Sequence, residues 1–169
     1  MSEEENGEID TWDKTLEPIT FINKYLSPYM KITKICKTNM ECGYKAPGNV
    51  WKHMNGTYNN YNSPVYQNRR PFITMDGLLY TYSVITNALS ENNDRMIIID
   101  INGSQGPNTH GKDVFFLYRQ EENSSVFPYG ANKTNEEIKR SCSKTGDGLY
   151  CAVLIQRNGW EIPTDYPWK

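Results

Sequence analysis

Asp100 to Phe116 read DINGSQGPNTHGKDVFF. An apolar run, Met96-Ile97-Ile98-Ile99, enters this stretch, and a second, Val114-Phe115-Phe116-Leu117-Tyr118, leaves it. Between them lie Gly103, Gly106, Pro107 and Gly111, together with oxygen donors at Asp100, Asn102, Ser104, Asn108 and Asp113. Two strands clamping a Gly-rich loop specify a shape at that loop.

The oxygen set suits a calcium ion, which takes six to eight carboxylate, amide and carbonyl oxygens in flexible geometry. The loop is not an EF-hand, because Gln105 stands where the invariant Gly belongs and Gly111 where the bidentate Glu belongs. The competing reading is a turn held by Asx-type hydrogen bonds from Asp100 and Asn102, with Asp113 paired to Lys112 or Arg119. Gly106 to Asp113, GPNTHGKD, has Walker A spacing but ends in Asp113 where Ser or Thr should bind magnesium, and a strand follows instead of a helix. Nucleotide binding is rejected on both counts.

Outward from the loop, strand signals dominate. Phe72-Ile73-Thr74, a turn at Asp76-Gly77 and a run over Leu78 to Ile85 form a hairpin pattern. Strands are expected over Arg95 to Ile101, Val114 to Arg119 and, in YCAVLIQ, Leu149 to Arg157. Apolar residues near helical spacing predict a helix from about Leu16 to Leu26, with Pro18 in its first turn, Asp13 or Thr15 as cap, and Pro28 ending it. Thr134-Asn-Glu-Glu137 caps a short helix to Ser141. Asn123 to Asn132 reads as a loop, and the Trp- and Pro-rich tail from Trp160 packs its aromatics on the domain. The expected class is α+β: one N-terminal helix packed on a mainly antiparallel sheet of about four strands. Helices do not alternate with strands, which disfavours a doubly wound parallel sheet.

A chain of 169 residues fits one domain. Residues 12–169 are read as that domain, and the acidic residues 1–11 as disordered or foreign to the natural chain. Apolar residues make up 37%, with 12 Tyr, a mixture suited to a loop-rich exported domain. Net charge is −2 with both signs dispersed, so neither a nucleic-acid surface nor a basic membrane-binding helix is indicated. Cys36, Cys42, Cys142 and Cys151 allow three pairings. Local pairing, Cys36 with Cys42 and Cys142 with Cys151, is preferred, and it implies an oxidising compartment. The spacings C-x5-C and C-x8-C do not suit zinc.

Ala46 to Pro71 is a long loop without a period. Its stretch YNNYNSPVY carries Tyr58, Tyr61 and Tyr66 among small polar residues, the composition of a binding loop. The plainer reading is a lid of tyrosines packed over the sheet. Nothing points to catalysis. The two histidines, His53 and His110, lie in Gly- and Asn-rich loops and read as solvated, and no G-x-S-x-G elbow occurs. Asn55, Asn123 and Asn132 match the glycosylation acceptor pattern, which an Asn-rich chain produces by chance.

The loop is similar to a strand–loop–strand in the heads of bacterial type IV pilin-like proteins, the type II secretion pseudopilins and minor pilins. Their pattern D-x-N-G-x-x-G-P-N-x-x-G-x-D-x-F is matched at Asp100, Asn102, Gly103, Gly106, Pro107, Asn108, Gly111, Asp113 and Phe115. Cys142 to Trp160 resembles the closing part of such heads, and Trp12 to Cys36 the segment after their long helix. Ala46 to Arg70 has no counterpart. The resemblance implies a structural subunit of a pilus or secretion filament at the cell surface or in the periplasm. Its partners would be other pilin subunits, and calcium is the one cofactor suggested. The chain opens MSEEENGEID without an apolar run of about 18 residues. The expectation is a truncated soluble head, the alternative a chain that never carried the helix. A different class of function, a secreted or surface adhesin using the Tyr-rich loop, is the competing reading.

Overall fold

Among the described residues, six short strands form one sheet. They are β1 (Ile32–Ile35), β2 (Pro71–Thr74), β3 (Leu79–Tyr82), β4 (Arg95–Asp100), β5 (Val114–Arg119) and β6 (Val126–Pro128), and each is antiparallel to the next. The computed structural model describes residues 12–13, 15–58, 62–66, 69–83, 95–120 and 125–168. The readings placed on residues 1–11, Tyr61, Ile85 and Asn123 fall outside these.

Side chains alternate across a strand, so pairing sorts them by face. Leu79 lies opposite both Ile73 and Asp100, Ile98 opposite Phe116, and Asp100 opposite Val114. Ile73, Leu79, Ile98, Val114 and Phe116 accordingly share a cluster with Cys36, Cys42, Tyr44 and Trp51. Phe72, Tyr80, Tyr82 and Ile97 join Trp12, Phe21, Ile22 and Tyr25 in another. Within that second cluster Trp12 stacks on Tyr25 at 5.1 Å and Phe21 on Tyr82 at 5.7 Å.

The expected helix on a four-stranded sheet is not what forms. The sheet gains two short edge strands, β1 in a segment that reads as extended or turn and β6 in one that reads as a loop. β6 ends in Pro128, which an edge strand tolerates because it needs no N–H on its open side. In place of an eleven-residue helix over Leu16 to Leu26 there is one α-helical turn, α1 (Pro18–Phe21), followed by a π-helical turn at Ile22–Leu26. Glu17 caps it by accepting from the Ile19 and Thr20 amides at 3.1 and 3.3 Å. Asp13, expected as a cap, accepts from Thr15 instead.

The segment read as the last strand is helix α3 (Cys151–Arg157). Its unbroken apolar run carries no period that separates a buried strand from a buried helix. Helix α2 (Asn135–Ser141) opens on the reciprocal Thr134–Glu137 capping box that the sequence predicts. Disulfides join Cys36 to Cys42 and Cys142 to Cys151. Such pairs fit an oxidising, extracellular or periplasmic compartment. Among the described residues no helix is long and apolar enough to cross a membrane.

Candidate functional site: a braced glycine-rich loop

The loop between β4 and β5 is organised by its two carboxylates. Asp113 is buried, and its oxygens accept from the backbone N–H groups of Asn108 at 2.7 Å and Thr109 at 2.6 Å. This grip folds the loop back on itself. Asn108 is held at φ 54° and Gly111 at φ 77°, the left-handed region that costs Gly least. The proposed partners of Asp113 lie elsewhere: the Lys112 ammonium is 4.5 Å from the Trp168 ring centroid, and the Arg119 guanidinium 5.0 Å from that of Trp12.

Asp100 points into the core. Its Oδ2 accepts from the Tyr44 hydroxyl at 2.7 Å and the Trp51 indole N–H at 3.1 Å. The end of β4 is thereby tied to the Cys36–Trp51 segment. Asn102 donates its amide to the Gly106 carbonyl at 3.3 Å, and the Ser104 carbonyl accepts from Asn108 Nδ2 at 3.4 Å. The five candidate ligands thus share one loop. No three His, Cys, Asp or Glu side chains among the described residues are grouped to hold a metal.

A second set of contacts locks the loop to the segment around Lys52 and to the C-terminal segment. The peptide N–H of Lys52 donates to the Asn108 carbonyl, and that of His110 to the Lys52 carbonyl, at 2.9 and 2.8 Å. His53 and His110, expected in solvent, are buried and cross edge to face at 4.9 Å. Both meet the Asp147 carbonyl through Nδ1, at 3.2 and 3.1 Å. A carbonyl only accepts, so Nδ1 is the donating nitrogen of each ring in these contacts. Gly148 lies so close to His110 that a Cβ there would stand 2.6 Å from the His110 carbonyl oxygen. The Tyr166 hydroxyl donates to the Gly111 carbonyl. Asp147 also accepts from Ser141 Oγ and, at 3.1 Å, from the Leu149 amide.

Asp147, Tyr44, Trp51 and Tyr166 were not singled out from sequence. The Asp147-Gly148 turn dipeptide was the only local signal for any of them. In the Tyr-rich loop Tyr58 is exposed and Tyr66 is half-buried beside the Arg69 guanidinium. The Asn62 carbonyl accepts from the Val50 and Trp51 amides at 2.9 and 3.0 Å, which ties this loop to the same core.

The buried ionisable groups oppose each other. Burial raises the Asp100 carboxyl from 3.8 to about 7, offset by the Tyr44 hydrogen bond and reinforced by the charge of Asp113. Burial pushes His110 down from 6.5 to about 3, with His53 adding to the effect and the Asp147 carbonyl opposing it. Between pH 3.8 and about 7 the folded state keeps a proton that unfolded Asp100 has lost, so stability falls as pH rises. Between about pH 3 and 6.5 the unfolded chain binds a proton that folded His110 refuses, so stability rises with pH. Each slope approaches about 1.4 kcal/mol per pH unit, and over their shared window they cancel. Urea midpoints of the wild type in chelator should be nearly level from about pH 4.5 to 6. Asp100→Asn should uncover a rising profile and His110→Gln a falling one. Profiles parallel to the wild type in both variants would contradict this pairing.

The chain belongs to a family of unknown function (DUF6613), whose model matches residues 1–169. No curated protein and no solved structure matches it.

Proposed function

We propose that this chain is the globular head of a pilin-like filament subunit and that its work is structural rather than catalytic. The observation that carries the reading is the interlock just described. The two stretches with the most specific resemblance to pilin-like heads, Asp100–Phe116 and Cys142–Trp160, are far apart in sequence and pack directly on each other. His110 meets Asp147, and Gly111 lies so close to Cys151 that a Cβ there would stand 2.4 Å from its sulfur. A motif in which Asp113 holds backbone N–H groups, Asp100 Oδ2 holds core side chains and Gly111 admits close packing is suited to keeping a shape. The six-stranded meander departs from the architecture that the resemblance implied, so the proposal rests on these motifs and not on that fold.

The test is fractionation. Cells that express the gene are sheared, the released filaments are pelleted, and the chain is sought with an antibody to its head. The proposal expects it in the pelleted filaments, in stoichiometric repeat with other small subunits. Recovery of the chain only as a dispersed exported protein would overturn the proposal and favour a stand-alone binding module.

A further inference from the structure

We infer that Asn55 is the attachment site of an N-linked glycan, displayed on a turn over residues 53–57 in the acceptor pattern Asn55-Gly56-Thr57. The site is argued from the turn itself and does not depend on the filament reading.

Chance yields the tripeptide in an Asn-rich chain, and local structure separates a usable copy from an idle one. An acceptor must stand on the surface of an exported chain. Asn55, Gly56 and Thr57 are all exposed, beside the buried His53 and Met54. The two disulfides fit the oxidising compartment in which an exported chain meets a glycosyl transferase.

The turn is braced from below. The His53 N–H donates to the Thr57 carbonyl at 2.8 Å, the Gly56 N–H to the His53 carbonyl at 2.9 Å and the Asn55 N–H to the Gly146 carbonyl at 3.0 Å. Gly56 takes φ 84°, and a Cβ built there would meet nothing within 4 Å, so the outer side is open.

The side chains carry the chemistry. Asn55 Oδ1 accepts from the Thr57 N–H at 3.0 Å and from the Thr57 hydroxyl at 2.7 Å, which fixes the plane of the amide. Its Nδ2 has only a long contact, to the Thr145 carbonyl at 3.4 Å. An amide nitrogen is a poor nucleophile because its lone pair is shared with the carbonyl. Two donors on Oδ1 stabilise the imidate left when Nδ2 gives up a proton. The donor would be an oligosaccharide carried on a lipid diphosphate. Nδ2 bonds to the anomeric carbon, the bond from that carbon to the diphosphate oxygen breaks, and the lipid diphosphate leaves with the electron pair. The Nδ2 proton goes to a base of the transferase.

Asn132-Lys133-Thr134 is the contrast. Thr134 caps α2: its hydroxyl accepts from the Glu137 N–H at 3.2 Å, and its own N–H donates to the Glu137 carboxylate at 2.8 Å. The N–H that would close the same turn on Asn132 is already taken.

The test uses the chain isolated from the cells that make it. Its Asn55 peptide is weighed before and after an amidase releases N-linked glycans in heavy-oxygen water. The expected result is a sugar-bearing peptide that the amidase converts to a heavy-oxygen carboxylate at position 55. Thr57→Ala should lose the glycan and Thr57→Ser should keep it, with thermal unfolding showing that both variants fold. A wholly bare Asn55 would overturn the site, whether or not Asn132 is modified. A carboxylate at position 55 without prior sugar, from spontaneous deamidation of Asn55-Gly56, would overturn it too. So would a glycan that survives Thr57→Ala.

Discussion

Gly111→Ala should leave little folded protein, with a loss of about 3–5 kcal/mol. Two independent costs meet at this position. The residue sits at φ 77°, and a Cβ built there would lie 2.4 Å from Cys151 Sγ and 2.6 Å from Met54 Cε. The methionine tip can swing away. The sulfur cannot, because it is bonded to Cys142 and anchored in a buried helix start. Against a total stability of about 5–15 kcal/mol for a domain, such a loss is severe. Gly56→Ala is the matched control, since Gly56 is at φ 84° with nothing within 4 Å of the new Cβ. It should lose only about 1 kcal/mol, the conformational share alone. Urea unfolding of the two variants separates crowding from backbone strain, and equal losses would show that the close approach to Cys151 does not matter.

Asp113→Ala is the second large effect, at about 3–4 kcal/mol. The substitution strands the N–H groups of Asn108 and Thr109, which now donate at 2.7 and 2.6 Å. Thr109 is buried, so water cannot simply replace the carboxylate there. Asp113→Asn retains one acceptor oxygen and should lose roughly half as much. If Asn costs as much as Ala, the charge of Asp113 and not its hydrogen bonds holds the loop. Chemical denaturation of the three proteins at one pH decides this.

Legibility from sequence follows the range of the contacts. The hairpin at Asp76-Gly77 and the Ile-rich strand before Asp100 were readable, because local turn chemistry and β-rich runs encode them. So was the capping box at Thr134, a local pattern that closes at Glu137. The loop reads from sequence as one of specified shape, and Asp113 and Asn108 meet within it. How they are used was not legible. Asp100 Oδ2 is held by Tyr44 and Trp51, 56 and 49 residues away, and His53 meets Asp147 across 94 residues. No period or spacing reports such pairs.

The helical fate of Cys151–Arg157 was hidden for a related reason. Its first five side chains are apolar and its start is buried beside α2 and the sheet, and a run of that kind reads equally as a strand. The edge strands β1 and β6 were hidden by their length and by Pro128. The histidines misled because Gly- and Asn-rich surroundings usually mean solvent, whereas here the glycines admit close packing against Cys151 and His110.

The glycine-rich loop and the C-terminal segment interlock as one unit, the property that the proposed filament head requires. Native-state hydrogen exchange tests it directly. The amides of Asn108, Thr109 and His110, and those of Cys142 and Gly148, should open together, with the same free energy and the same denaturant dependence as the β4–β5 amides. Exchange of the C-terminal amides at a clearly lower free energy, while the loop stays closed, would contradict it: the clamp through Asp147 and Tyr166 would then be a loose contact and not a brace.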